Sequence, residues 1–333
     1  MIRAAVIGLG RWGRNHVRSV QGPERAPSDQ VRFTRAVVQT PEKSRAFCDE
    51  HGLALGTDFV SVLADPSIDA VVLATPNSQH CAQVVACAQA GKAVLSEKPL
   101  ALTLDDARRA VAACEAAGVV LGVGQDKRHW PSMRALADVV ASGDLGPLLH
   151  VEGHFSNENA KSLHTGWREI PSEAPGASLT ATGIHVLDAF VAMFGPVERA
   201  SAQFISYAPP PQSLDALAIT FAFARPLSGV LCGVRATPLY WRVHVFGRDG
   251  SAEVLGEREL VVRRSGQPIQ HRAFESVNAM RLQLEAFAQA IGSGDRAPGA
   301  WPIPREQLLG TIAAVDAVVG SMRTGAPVRA AAL

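Results

Sequence analysis

A glycine-rich turn near the start of the chain is the first segment whose residue types and spacing suit a ligand. Gly8, Gly10 and Gly13 form a G-x-G-x-x-G pattern, with Arg11 and Trp12 before the last glycine. An apolar, strand-like stretch precedes it and a helix-compatible stretch follows. In that context Gly8 permits the tight turn, Gly10 admits a pyrophosphate to the backbone and Gly13 allows close helix packing. Helix N–H groups complete the predicted dinucleotide site; the alternative is a turn without a ligand.

The residues that follow the second predicted strand bear on which dinucleotide binds. An acidic residue commonly holds the ribose 2′-hydroxyl of NAD at this place, but the chain has Gln39 and Thr40. Both are predicted to contact the cofactor and can donate hydrogen bonds to a 2′-phosphate, with Lys43 or Arg45 nearby. Those two cations are equally well explained as solvated side chains of the next helix. The cofactor is therefore predicted to be NAD or NADP.

Three further polar segments are not explained by packing alone. They are Ala74-Thr75-Pro76-Asn77 with His80, Ser96-Glu97-Lys98-Pro99-Leu100, and Gly183-Ile184-His185-Val186-Leu187-Asp188. With the glycine turn, they resemble the Gfo/Idh/MocA oxidoreductases, the family of glucose-fructose oxidoreductase and inositol dehydrogenase. The motifs match in order up to about residue 195, and beyond it the resemblance is only a strand-rich pattern. It implies a dehydrogenase or reductase that moves a hydride between nicotinamide and a sugar, sugar acid or polyol.

The resemblance assigns two acid/base residues. Lys98 matches the family lysine that holds and helps deprotonate the reacting hydroxyl, and His185 matches an acid/base position. Such groups are needed because a hydride leaves a C–H bond only as the attached oxygen loses its proton. The Lys98-Pro99 peptide bond is often cis in relatives. A cis bond is energetically costly, so its presence indicates a functional site. Taken singly, a strand-end lysine is usually solvated and a helical histidine usually belongs to the core.

Further contacts follow from the resemblance, each beside a structural alternative. The predicted cofactor contacts outside the glycine turn and the second strand are Thr75, Pro76, Asn77, His80, Glu97 and Lys98. The predicted substrate contacts are Lys98, Arg128, Thr182 and His185. Asn77 is equally well explained as a helix N-cap, Glu97 as a surface carboxylate and Arg128 as a surface ion pair. His154, His164, Trp167 and Arg168 lie in a loop-rich stretch that can cover the pocket, and no metal site is predicted.

One position departs from the family pattern. Relatives carry an aspartate four residues before the acid/base position, where this chain has Ala181. The departure favours one alternative, a cofactor-loaded, repressor-like regulator. The family resemblance alone leaves open a second, a glycosidase that oxidises its substrate transiently with NAD.

The elements that must position these residues fall into two predicted domains. Residues 1–123 alternate short apolar runs with amphipathic stretches, which predicts a Rossmann domain with a doubly wound parallel sheet. Its strands are predicted at 2–7, 31–39, 69–74, 92–96 and 119–123, and its helices include 77–90 and 104–117, ended by Gly91 and Gly118, with Thr103 capping the second. Residues 124–333 predict an α+β domain with a mostly antiparallel open sheet. Its strands are predicted at 148–156, 197–207, 215–224, 228–236, 241–247, 251–255 and 259–264, and its helices at 131–142, 179–194, 277–292 and 304–323.

Composition restricts the partners. The 333 residues are 47% hydrophobic and 19% charged, with 32 basic and 31 acidic side chains, so neither nucleic acid nor an anionic membrane is an expected partner. No apolar run approaches the roughly 18 residues of a spanning helix, and MIRAAVIGLG reads as a strand rather than a signal peptide. Five cysteines without a C-x-x-C pair fit reduced thiols in the cytoplasm. The outer face of the second sheet is expected to expose Leu217, Ile219 and Phe221, and so to form a homodimer or homotetramer.

Overall fold

The computed structural model describes residues 1–22, 26–158, 167, 170–208, 214–235, 237–293 and 303–333. These form two compact units, Met1–Asp126 with Asn278–Arg305, and Lys127–Val277 with Glu306–Leu333. The strands are β1 (Ile2–Ile7), β2 (Val31–Val37), β3 (Ala54–Gly56), β4 (Ala70–Leu73), β5 (Ala93–Ser96), β6 (Leu121–Val123), β7 (Leu148–Ser156), β8 (Val197–Ala208), β9 (Leu214–Phe223), β10 (Ser228–Val234), β11 (Tyr240–Gly247), β12 (Gly250–Leu255), β13 (Glu259–Arg264), β14 (Gln270–Ala273) and β15 (Val328–Arg329). The helices are α1 (Arg11–Val20), α2 (Arg45–His51), α3 (Phe59–Leu63), α4 (His80–Gln89), α5 (Leu104–Ala117), α6 (Pro131–Ser142), α7 (Ile184–Phe194), α8 (Ala279–Gly292) and α9 (Arg305–Thr324).

The first unit is built on a parallel sheet in the order β3-β2-β1-β4-β5-β6. Every residue of β4 and β5 is buried, as expected for strands covered by helices on both faces. The strand order reverses between β1 and β4, and in doubly wound sheets ligands bind in the crevice at the carboxyl ends of strands at that reversal. The predicted Rossmann fold class is confirmed.

Local signals set the limits of the helices in this unit. The Thr103 side chain accepts a hydrogen bond from the Asp106 N–H, and Gly118 ends α5 in a left-handed conformation, as predicted. The predicted helix 77–90 begins instead with a 3-10 turn over Asn77–Gln79. The short strand β3 was not predicted, because its three residues form no periodic pattern.

Helix α8 belongs to the first unit, although the predicted division placed it after residue 123 in the second. It packs against α1 and β2, and the Arg281 side chain donates a 2.7 Å hydrogen bond to the Ala26 carbonyl. An amphipathic helix shows in its sequence that it has a buried face, but not which sheet it packs against.

The second unit is built on a mixed sheet in the order β14-β13-β12-β11-β7-β10-β9-β8-β15. Its strand pairs are antiparallel except for β10 with β7. Helices α6, α7 and α9 pack on one face of this sheet, the inner face, and share one hydrophobic core with it. The predicted α+β class with a mostly antiparallel sheet is confirmed.

The prediction that Leu217, Ile219 and Phe221 are exposed is wrong. Their exposed fractions are 3%, 0% and 4%, and the Phe221 ring lies 6.4 Å from that of Phe190 on α7. Alternation along a strand identifies two faces but not which of them the helices cover. The opposite face of β9, which carries Ala218 and Thr220, is the exposed one. Among the described helices, none is long and apolar enough to cross a membrane.

Candidate cofactor and substrate site

The glycine turn joins β1 to α1 at the carboxyl end of the first sheet. Gly8 has a φ of 91°, and a Cβ there would lie 2.5 Å from the Ala74 carbonyl oxygen. A Cβ at Gly13 would collide with the Gly8 carbonyl oxygen. Gly10 differs, because a Cβ there would meet no heavy atom within 4 Å. Packing therefore requires the first and third glycines, whereas the second keeps open a space in front of the α1 N-terminus, where a phosphate fits.

The loop after β2 is tied to the glycine turn by Arg14 of α1. Its Nε donates a 3.1 Å hydrogen bond to the Leu9 carbonyl oxygen and its Nη2 a 2.9 Å hydrogen bond to that of Lys43. Gln39 and Thr40 are exposed in this loop. The loop that carries Gln39 and Thr40 is therefore held next to the glycine turn.

The Glu-Lys-Pro segment directly follows β5, at the same edge of the sheet. Glu97 is buried, and its Oε2 accepts a 3.2 Å hydrogen bond from the Lys98 backbone N–H. The Lys98-Pro99 peptide is cis, and Lys98 is half-buried between buried neighbours. The surface-carboxylate interpretation of Glu97 is wrong, since this carboxylate holds the Lys98 backbone.

A buried histidine that the sequence analysis missed is the second partner of Glu97. His16 on α1 is fully buried, and its Nε2 lies 2.8 Å from Glu97 Oε1. Burial acts to raise the pKa of Glu97, but the hydrogen bond and charge of His16, with Lys98, outweigh it and hold that pKa below its ordinary value. One feature of the sequence could have indicated this role. His16 is a polar residue on the buried face of α1, which also carries Val17 and Val20.

The Thr75–His80 segment follows β4 and supports the Glu-Lys-Pro segment. The Thr75 hydroxyl donates a 2.6 Å hydrogen bond to Gln83 Oε1, and Pro76 and Asn77 are half-buried. His80 is fully buried, with Nδ1 2.7 Å from the Pro99 carbonyl oxygen and Nε2 3.2 Å from that of Thr75. His80 was predicted to contact the cofactor, and its described contacts connect α4 to the residue after Lys98.

His185 lies in the second unit, in the first turn of α7. The segment before it, Leu179–Gly183, is a π-helical turn where a continuous helix was predicted. Within that turn the Thr182 hydroxyl donates a 2.8 Å hydrogen bond to the Ser178 carbonyl oxygen. The buried His185 ring lies 6.2 Å from the Phe155 ring of β7, on the inner face of the sheet.

Arg128, also in the second unit, forms a partly buried ion pair. Its Nε and Nη2 donate hydrogen bonds of 2.6 and 2.8 Å to the two carboxylate oxygens of Asp188, and its Nη1 donates one of 2.7 Å to Gln307 Oε1. Asp188 stands one helical turn after His185. Of the two interpretations of Arg128, the ion pair is the one the structure shows, although Asp188 is buried and Arg128 only partly exposed.

Four residues were predicted to lie in a loop that covers the pocket, and the structure describes two of them. His154 Nε2 lies 2.6 Å from Ser156 Oγ on β7, and Trp167 is half-buried. His164 and Arg168 lie outside the described residues.

Comparison with known proteins places both units in one family. Residues 2–125 match the oxidoreductase family with an NAD-binding Rossmann fold, and residues 133–253 match the GFO/IDH/MocA C-terminal domain. The 1,5-anhydro-D-fructose reductase of Ensifer adhaerens is 33% identical over 186 residues, which is 54% of this chain and 55% of that protein. Inositol 2-dehydrogenase 1 of Saccharopolyspora erythraea is 29% identical over 320 residues, 90% of this chain and 89% of that protein.

A solved levoglucosan dehydrogenase, in complex with NADH and levoglucosan, has the same fold. Its TM-score is 0.87 at 20% identity, over 99% of this chain and 100% of that one. With the matches to both family domains, the chain belongs to the GFO/IDH/MocA oxidoreductases.

Proposed function

We propose that this protein transfers a hydride between a nicotinamide dinucleotide and a hydroxyl or ketone carbon of a sugar, sugar acid or polyol, with Lys98 and His185 as acid/base groups. One observation carries the proposal. The Lys98 segment is anchored on both sides by buried contacts, Glu97 to His16 and Pro99 to His80. It stands at the same sheet edge as the glycine turn. A merely solvated lysine needs no such anchoring.

The residues present fit the dinucleotide. Gly8, Gly10, Arg11, Trp12 and Gly13 would hold its pyrophosphate at the N-terminus of α1, where N–H groups favour anions. Gln39 and Thr40 would meet the adenosine ribose, and Thr75, Pro76, Asn77, Glu97 and Lys98 would line the nicotinamide side, with the buried His80 holding the segment behind them. Bound there, NAD(P) supplies the hydride acceptor or donor.

Lys98 and His185 then have complementary roles in proton transfer. During oxidation the substrate carbon loses a hydride while its hydroxyl loses a proton, and an amine or imidazole within hydrogen-bond distance takes that proton. During reduction the same groups return the proton to the forming alkoxide, and an ammonium also stabilises its negative charge. We propose that Thr182 and Arg128 help to hold the substrate, Arg128 acting through Asp188 of α7.

Substitution at position 98 tests this role. We expect Lys98→Ala to lower kcat by at least about 100-fold, the upper part of the range for general acid/base groups, with little change in the Kd for NADH or NADPH. Lys98→Arg retains the charge but is a poor proton acceptor, so it serves as the matched control and is also expected to be slow. A panel of sugars, aldonates, uronates and polyols is followed by cofactor absorbance. Wild-type turnover that survives Lys98→Ala unchanged would refute the assignment.

The same panel separates the alternative functions. Ala181 in the π-helical turn favours a cofactor-binding regulator, which predicts tight dinucleotide binding without hydride transfer to any carbohydrate. A glycosidase that uses NAD transiently predicts cleavage of aryl glycosides without net NADH. Steady NADH or NADPH turnover with a carbohydrate excludes both.

We further propose a homodimer or homotetramer formed through the open face of the second sheet, defined as the face opposite α6, α7 and α9. Among its residues are Ala216, Ala218, Ala222, Val230 and Val234, which are small or apolar and at least partly exposed. Covering them with a second copy removes this surface from water, which is favourable.

A cytoplasmic location is proposed from the thiols. All five cysteines are free, and burial raises the pKa of Cys114 to about 12 and that of Cys87 further. Unpaired, protonated thiols fit a reducing compartment.

A further inference from the structure

A row of polar side chains crosses the inner face of the second sheet. It consists of Asp215 on β9, Arg235 after β10 and Asn157 after β7. The Arg235 N–H donates a 2.9 Å hydrogen bond to the Asp215 carbonyl oxygen, and Asn157 pairs with Arg235 in a parallel bridge. The three residues are therefore lateral neighbours on adjacent strands.

The row faces the same side as His185. The preceding row in the register consists of Leu217, Gly233 and Phe155, and all three are buried. Leu217 and Phe155 belong to the hydrophobic core that the inner face shares with its helices. Because side chains alternate along a strand, Asp215, Arg235 and Asn157 point the same way, about 7 Å farther along. The Phe155 ring that precedes the row contacts the His185 ring at 6.2 Å. The polar row thus begins where the apolar core around His185 ends.

Two of the three guanidinium nitrogens of Arg235 make no hydrogen bond within the part of the chain that the structure describes. Its side chain is 8% exposed, and its Nε lies 3.2 Å from Asp215 Oδ2. Among the described residues, its Nε and Nη2 nevertheless make no hydrogen bond of acceptable geometry, and neither does the buried Asn157 Oδ1. Buried guanidinium donors without an acceptor are rare in native proteins, and each calls for an explanation, of which a bound anion is one.

The charge at this place favours an anion as that group. Burial lowers the pKa of Arg235 by more than the attraction of Asp215 raises it, so one carboxylate does not fully compensate the buried cation. Position 181, one turn before His185, is alanine and adds no negative charge. The carboxylate of Asp188 is engaged by Arg128. The planar guanidinium matches a carboxylate in geometry, because it can donate two parallel N–H hydrogen bonds to the two carboxylate oxygens.

We propose that Arg235 binds a carboxylate of the substrate, so that the preferred substrates are sugar acids, aldonates or uronates, oxidised at a hydroxyl next to His185. The proposal rests on the proposed hydride-transfer function. It adds a substrate class and a residue that selects it.

Matched substrates test the selection. Gluconate is compared with glucitol, and glucuronate and galacturonate with glucose and galactose, so that each acid has a neutral partner with a similar hydroxyl pattern. We expect wild-type kcat/KM to favour an acid over its partner by about 10-fold or more, and Arg235→Gln to lower kcat/KM for that acid by about 10- to 100-fold, as loss of a charged hydrogen bond does. The value for the neutral partner is expected to change by less than about 3-fold. Arg225→Gln, an exposed arginine in the turn between β9 and β10, is the matched control and is expected to change neither.

A second readout does not require turnover, and its main comparison uses the wild-type protein. Titration of each acid and its neutral partner into wild-type protein saturated with NADH or NADPH is followed by calorimetry, and tighter binding of an acid is expected. Asp215→Asn keeps Arg235 and removes its counter-charge, so it is expected to bind the acid at least as tightly as wild type.

Several outcomes would overturn the inference. Equal losses on acid and neutral substrates in Arg235→Gln would mean that Arg235 acts only structurally or binds hydroxyls. Neutral partners binding as tightly as acids to the cofactor-loaded wild type would overturn it even if Arg235→Gln fails to fold. Hydride transfer without a preference for acids would refute this inference alone. If no panel member supports hydride transfer, the proposed function is refuted. Calorimetry then still shows whether a carboxylate binds.

Discussion

The buried pair of His16 and Glu97 links the glycine-turn helix to the residue that precedes Lys98. Replacing His16 with leucine leaves the Glu97 carboxylate buried beside an apolar side chain. Breaking a buried charged pair costs about 3 to 5 kcal/mol of unfolding free energy, and we expect a loss of about 3 kcal/mol at pH 8. Because Glu97 also holds the Lys98 backbone at 3.2 Å, kcat is expected to fall while the Kd for the dinucleotide changes little.

The sign of the pH dependence separates this pair from a generic core defect. In wild type the pKa of Glu97 lies below its ordinary value. Its stabilisation is therefore present above the ordinary pKa and lost only as pH falls through the lowered one. In His16→Leu burial dominates and raises that pKa, so stability is lost as pH rises through it. Urea unfolding at pH 5 and pH 8 is expected to show a larger difference between the proteins at pH 8, whereas a difference independent of pH would contradict the charge argument. His271→Leu, at an exposed position on β14, is the control.

The glycines of the turn make separable contributions. Gly13→Ala places a Cβ against the Gly8 carbonyl oxygen and is expected to lower stability by about 1 to 3 kcal/mol, as overpacking does. Gly10→Ala meets no atom of the protein, so its stability is expected to stay within about 0.5 kcal/mol of wild type. A Cβ there occupies the space left for the pyrophosphate, and we expect about a tenfold weaker Kd for NADH or NADPH, equivalent to about 1.4 kcal/mol. Calorimetric Kd values and melting curves of both variants check this, and unchanged binding by Gly10→Ala would remove the pyrophosphate from this turn.

The roles of some single residues can be predicted from the sequence, whereas those of others cannot. Gly8, Gly10 and Gly13 are recognisable because the turn requires fixed spacing, and Glu97-Lys98-Pro99 because the three residues adjoin. His16 and Arg235 were missed, since each acts with a partner distant in the chain, Glu97 and Asp215 respectively. The sequence around a single histidine or arginine does not show which distant residue it will contact in the fold.

At the scale of elements, Arg128 fixes α7 to the segment before α6 and to α9. Its guanidinium uses three nitrogens on Asp188 and Gln307. We expect Arg128→Ala to lower the unfolding free energy by about 3 to 5 kcal/mol, because Asp188 keeps a buried charge without this cation. The double variant Arg128→Ala with Asp188→Ala is expected to lose less than the sum of the single variants.

A double-mutant cycle by urea unfolding measures that coupling. If Arg128 mainly bound substrate, Arg128→Ala would raise KM and leave stability within about 0.5 kcal/mol of wild type. Additive losses in the cycle would contradict the positioning role. Lys127→Ala, one residue earlier in the same turn and placed over the Trp130 ring, controls for a general effect on this segment.

Elements with long, regular patterns were predicted to within a few residues. Helix α5 and strands β1, β7 and β13 agree with their predicted ranges, because each has a periodic pattern and clear end signals. The π-helical turn at Leu179–Gly183 was predicted as regular helix, since hydrogen bonds that span five residues instead of four need no change in residue types. Strand β15, with two residues, depends on pairing with β8 and has no pattern of its own.

At the scale of the whole molecule, chain order and compact units do not coincide. The chain enters the second unit at Lys127, returns to the first at Asn278 and enters the second again at Glu306. The sequence indicated the change from alternating strands and helices to a strand-rich pattern near residue 124. It did not show that α8 completes the first unit, because its apolar face is compatible with either sheet.

The open face of the second sheet provides a prediction about assembly. Ala218 is exposed at the centre of β9, paired with Cys232 on β10 and Gln203 on β8. Arginine at this position adds charge to the face without disturbing the helix-covered core on the other side. We expect wild type to be a dimer or tetramer at micromolar concentration, and Ala218→Arg to have a smaller mass, because burying an unpaired charge in an interface is costly.

Light scattering coupled to size-exclusion chromatography measures both masses. Val60→Arg adds the same charge at a residue of α3 that is 67% exposed in the first unit, and is expected to leave the wild-type mass unchanged. Melting curves establish that Ala218→Arg is folded, because its Cβ lies on the exposed side of the sheet. A monomeric wild type would refute association through any surface, and an Ala218→Arg protein with the wild-type mass would place the interface elsewhere than on this face.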